Sequence, residues 1–146
     1  MKISIGSDHA AFSAKQEISD FLGSLAFEVV DTGCHGTDSC DYPDFAAQVA
    51  RSVLSGETER GILICGTGIG MSIAANRYPG IRAALCYTPE LAQLSRAHND
   101  ANVLCLGART QTLADMKAII TVWMDTEWEG DRHARRLEKI ESNPRG

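Results

Sequence analysis

Five apolar runs, at 2–6, 27–31, 61–65, 81–86 and 103–106, alternate with stretches of helical period, and that alternation confines the chain to one fold class. Candidate helices cover 11–23, 43–55, 70–77, 89–97 and 111–126. Their apolar residues recur at spacings of three and four, as in Phe45, Val49, Val53 and in Leu113, Met116, Ile120. The run Gly61-Ile62-Leu63-Ile64-Cys65 is apolar throughout instead of alternating, the pattern of a strand whose two faces are both covered by helices. Strands alternating with helices predict a parallel sheet joined by right-handed crossovers.

The expected architecture is therefore α/β, a doubly wound Rossmann-like sheet of five parallel strands in the common order 2-1-3-4-5. After Trp128-Glu129-Gly130 the chain becomes highly charged, and 131–141 is predicted as a final helix. With no repeat, linker or low-complexity stretch, 1–146 is expected to form a single domain. In that strand order a crevice opens at the carboxyl ends of strands 1 and 3. The loops there hold Ser7-Asp8-His9 and Cys65-Gly66-Thr67-Gly68.

Composition narrows the ligand. A net charge of −5 argues against nucleic acid, whose phosphates demand a basic face, so an anionic ligand requires a local cationic cluster. No run approaches the roughly 18 apolar residues of a membrane span. The N-terminus turns polar too soon for a signal peptide, so a cytoplasmic protein that engages no membrane is expected. Five cysteines without regular spacing do not suggest a disulfide framework.

Cys65-Gly66-Thr67-Gly68-Ile69-Gly70-Met71-Ser72 is the strongest local signal. Its glycines let the backbone approach a ligand, and the following helix start offers N–H groups to an oxyanion. A cysteine beside such donors can act as a thiolate, although a plain strand-to-helix turn with a buried cysteine has the same pattern. Met71 holds the last glycine position of a dinucleotide fingerprint, and no Lys-Ser or Lys-Thr makes it a Walker loop. Asp8 and His9 suit acid–base work or hydroxyl binding, or simply an N-cap with a surface histidine. His98-Asn99-Asp100 also reads as an ordinary helix C-terminus. Arg132 and Arg136 share a helix face that suits a phosphate, as does Arg109 after strand 5; the alternative is a solvated charged helix. Cys34-His35 and Cys40-Asp41 match no usual zinc spacing, so no metal is expected, and Cys86 and Cys105 read as core residues.

Ile3-Ser4-Ile5-Gly6-Ser7-Asp8-His9, Asp41-Tyr42-Pro43, the 61–70 segment, Ser72-Ile73-Ala74-Ala75-Asn76, Gly80-Ile81-Arg82-Ala83, Ala92-Gln93-Leu94-Ser95-Arg96, His98-Asn99-Asp100 and Arg132-His133-Ala134-Arg135-Arg136 occur in one order. In that order they resemble the B-type ribose 5-phosphate isomerase family, which includes the allose 6-phosphate and galactose 6-phosphate isomerases. The resemblance covers nearly the whole chain.

It implies an aldose–ketose isomerase of the pentose phosphate pathway, without cofactor or metal, acting through an enediolate on ribose 5-phosphate. Allose 6-phosphate or another hexose 6-phosphate is the alternative substrate. A non-catalytic phosphosugar-binding module is the alternative class; a flavin carrier lacks its usual aromatic pair. By the resemblance Cys65 is the base, His98 opens the ring, and Thr67 assists. Gly66, Gly68, Gly70 and Ser72 lie along the enediolate. Asp8, Tyr42 and Asn99 contact sugar, and His9, Arg109, Arg132 and Arg136 bind phosphate. A branch of the family uses glutamate where this chain has Met71, so the chain resembles the cysteine type. The resemblance also implies a homodimer, possibly a tetramer, with shared sites into which His98, Asn99 and Arg109 reach from the partner. The two-cysteine loop at 33–40, Tyr87 and Asp131 depart from the family pattern.

Overall fold

A computed structural model describes residues 1–142, so the last four positions of the expected domain, 143–146, lie outside the described residues. Five parallel strands run along the chain as β1 (Lys2–Ser7), β2 (Glu28–Gly33), β3 (Arg60–Cys65), β4 (Ala83–Leu85) and β5 (Val103–Gly107). The helices are α1 (Phe12–Ser24), α2 (Tyr42–Leu54), α3 (Ile69–Ala75), α4 (Pro89–Ala97), α5 (Leu113–Asp125) and α6 (Arg132–Ser142).

Period-two alternation sends each central strand to two cores. Ile62, Ile64, Leu104 and Leu106 join Ile18, Leu22 and Trp123 of α1 and α5 on one face. Leu63, Cys65, Val103 and Cys105 join Val49, Ala50 and Met71 of α2 and α3 on the other. The unbroken apolar runs are thus explained by helices on both faces. Cys86 and Cys105 lie inside this packing, where burial pushes both thiols up and away from reactivity.

The strand order is β2-β1-β3-β5-β4, which corrects the expected 2-1-3-4-5. Burial supplies the reason. All five residues of β5 are buried, and such a strand needs neighbours on both sides. β4 is three residues long and only half-buried, and short strands suit a sheet edge. The exchange sets the carboxyl end of β5 directly beside that of β3, with Cys65 in register with Gly107. The switch point between β1 and β3 is where the sequence puts it.

Candidate active site

Everything that follows a strand carboxyl end meets at one edge of the sheet. Asp8 caps the 3₁₀ turn His9–Ala11, its Oδ1 accepting from the Ala11 N–H at 3.1 Å. The capping reading of Asp8 therefore holds, and its other carboxylate oxygen remains for a ligand. His9 Nδ1 accepts from the Cys40 N–H at 3.1 Å. A neutral ring that accepts at Nδ1 carries its proton on Nε2, which gives His9 a donor.

The Gly68 N–H donates to Cys65 Sγ at 3.1 Å, and the Ile69 N–H donates to Thr67 Oγ1 at 3.2 Å. The Ser72 N–H bonds the Gly68 carbonyl at 3.0 Å, while its hydroxyl donates to the Ile69 carbonyl at 2.8 Å. The donors expected over 66–72 are thus partly engaged within the loop. By helix geometry the amides of Gly70 and Met71, in the first turn of α3, have no carbonyl four residues back. They are the donors that the helix start leaves for a ligand, and the Met71 side chain is fully buried beneath them.

Two glycines make this loop possible. Gly68 has φ +80, and a Cβ there would lie 2.9 Å from the Leu106 carbonyl carbon and oxygen. A Cβ on Gly70 would lie 2.5 Å from the Tyr42 ring, so the phenol reaches the loop only because residue 70 has no side chain. Arg109 completes this edge. Its N–H bonds the Gly66 carbonyl at 2.9 Å, and its side-chain Cδ lies 3.4 Å from where a side chain on residue 66 would begin. Arg109 therefore stands at the loop of its own chain, placed there by the β5–β3 adjacency.

His98, Asn99, Arg132 and Arg136 gather elsewhere. His98 caps the carboxyl end of α4, which leads into the amino end of β5. The length of β5, four steps of about 3.3 Å, separates it from Cys65. The Glu129 N–H bonds the Ala97 carbonyl at 3.0 Å and brings α6 alongside, with the His98 and His133 rings stacked at 4.3 Å. Arg132 and Arg136 are exposed on α6, one turn apart. One small sugar cannot touch both ends of one sheet.

Three supporting residues escaped the sequence reading. Tyr87, set aside as unmatched, donates from its hydroxyl to the Thr67 carbonyl at 2.6 Å. Cys40 orients His9 through its backbone. Arg96, only 6% exposed, donates to Asp100 Oδ1 at 2.8 Å and to the Ala101 carbonyl at 2.7 Å, clasping the turn that carries His98 and Asn99. A buried arginine inside an ordinary amphipathic helix leaves no spacing signal.

The ribose/galactose isomerase family profile matches residues 3–140. Ribose-5-phosphate isomerase B of Escherichia coli strain K12 is 49% identical over 139 residues, covering 95% of this chain and 93% of its own. D-erythrulose-4-phosphate isomerase of Pectobacterium atrosepticum is 43% identical over 141 residues, covering 96% and 93%. Among solved structures, ribose-5-phosphate isomerase B of Clostridium thermocellum superposes with a TM-score of 0.97 at 53% identity, covering 98% of this chain and 97% of that one.

Proposed function

Since the chain belongs to the ribose/galactose isomerase family, we propose that it interconverts an aldose phosphate and its ketose isomer through an enediolate, with ribose 5-phosphate and ribulose 5-phosphate as the pair. The observation that carries this reading is the Cys65 sulfur, held by the Gly68 N–H beside the unbonded amides of Gly70 and Met71. A base and an oxyanion cradle on one rigid turn are what proton transfer between adjacent carbons requires.

In this mechanism Cys65, as thiolate, takes the proton from C2 and returns it to C1. The Gly70 and Met71 amides hold the charge that develops on the enediolate oxygen, and Thr67 passes the hydroxyl proton. His9 Nε2–H and Arg109 hold the phosphate, aided by Arg132 and Arg136 of a second chain, and that remote binding fixes the reacting carbons. Asp8 and Tyr42 contact sugar hydroxyls from the Cys65 side.

His98 opens the ring and Asn99 contacts the sugar, both from a second chain. Support for that assembly comes from the separation of the two residue groups along β5. A two-fold dimer brings the Cys65 edge of one chain to the His98 end of its partner, making two equivalent sites. Ile69 at 49%, Ile73 at 57% and Leu91 at 48% exposure give α3 and α4 the apolar surface such a pairing buries.

The test is a panel of four-, five- and six-carbon aldose phosphates assayed for ketose formation. Ribose 5-phosphate is expected to give the highest kcat/KM. Ketose from none of them ends the isomerase reading, and a six-carbon optimum reassigns the substrate.

A further inference from the structure

The His98 end of the molecule holds a side-chain cluster that isomerisation does not use as a whole. Among the described residues, His98, Glu129 and His133 present ligand atoms all within 4.8 Å of one another. Backbone bonds hold the three in place: His98 N–H to the Leu94 carbonyl, Glu129 N–H to the Ala97 carbonyl, and His133 N–H to the Gly130 carbonyl, at 2.9, 3.0 and 3.0 Å. His133 Nε2 lies 3.6 Å from Glu129 Oε2. Two ligands of a tetrahedral zinc with bonds of about 2.1 Å stand roughly 3.4 Å apart, so this pair is already near a coordination edge.

A second observation points to a ligand. His133 is 6% exposed, and its Nε2 is buried without a hydrogen-bond partner among the described residues. Buried polar atoms are seldom left so, and a metal ion satisfies an imidazole nitrogen.

We propose that His98, Glu129 and His133 form a site for a divalent transition metal of the zinc class, and that the bound ion withdraws His98 from the sugar. Two imidazoles and a carboxylate are a donor set that zinc takes, with water in the fourth position. Chelation turns the half-buried His98 ring out of its stack with His133 so that a ring nitrogen faces the ion. It also displaces Arg132, whose Nη2 stands 3.9 Å from Glu129 Oε2 in an exposed pair. The inhibitory half of the proposal rests on the ring-opening role assigned to His98; the binding half does not.

Co²⁺ titration of the full chain in phosphate-free buffer, followed by visible absorption and reversed by Zn²⁺, reads binding without reference to activity. One ion per chain is expected, without a thiolate-to-cobalt band, and weakened at least about tenfold in both His133→Gln and Glu129→Gln. The zinc concentration that halves ketose formation should rise by the same factor in those variants. No stoichiometric binding, binding unchanged in both variants, or a thiolate band overturns the site. Binding that depends on His133 and Glu129 while the zinc-loaded protein isomerises at full rate keeps the site and overturns the inhibition, and with it the role of His98.

Discussion

Cys65→Ala is expected to lose isomerisation of ribose 5-phosphate by roughly 10³-fold or more while keeping the fold, the scale on which an essential acid–base group counts. Within the 66–72 loop no other group can replace it. Thr67 is a hydroxyl, the Gly70 and Met71 amides are donors only, and the Met71 thioether is a poor proton acceptor buried below the loop. The structural cost is small, because the variant loses one buried sulfur and one N–H···S contact, together about 1–2 kcal/mol. Ketose formation and a thermal melt measured on the same preparation separate the two effects. Near-normal turnover in a folded variant removes Cys65 from the mechanism.

His98→Ala is expected to lose on the order of 10²-fold or more on ribose 5-phosphate, a general acid–base loss at the ring-opening step. The loss should shrink to within about tenfold on erythrose 4-phosphate, because a group contributes only to the steps in which it moves a proton. A four-carbon sugar with phosphate on O4 cannot close a five-membered ring, so it reaches the enediolate without ring opening. Parallel kcat/KM measurements on both sugars decide the matter. Equal losses assign His98 to the isomerisation step or to assembly instead.

The existence and type of the elements were legible because strands covered on both faces read as unbroken apolar runs, as β3 and β5 do. The exchange of β4 and β5 was not, although a trace was present. The run at 81–86 contains Arg82, whose guanidinium pairs with Asp100 and Glu141, and only 83–85 forms strand. A charge within an apolar run marks an edge strand. Missing that exchange hid how near Arg109 stands to the Gly66 carbonyl, which follows from β5 lying next to β3.

The glycine-rich loop was legible because its spacing states a backbone need. The His98 cluster was not, because α6 reads as a solvated charged helix. His133 and Leu137, four apart, are its buried stripe, too narrow to stand out among seven surrounding polar or charged residues.

The most direct test of the two-chain site is complementation between Cys65→Ala and His98→Ala proteins, prepared by co-expression or by unfolding and refolding together. In their heterodimer one site carries both defects and the other carries neither. A purified heterodimer is then expected to recover about half of wild-type activity on ribose 5-phosphate, and a random mixture of equal amounts about a quarter, as two-fold symmetry requires. Verified heterodimers as inactive as either parent would place Cys65 and His98 in the site of a single chain and contradict the account.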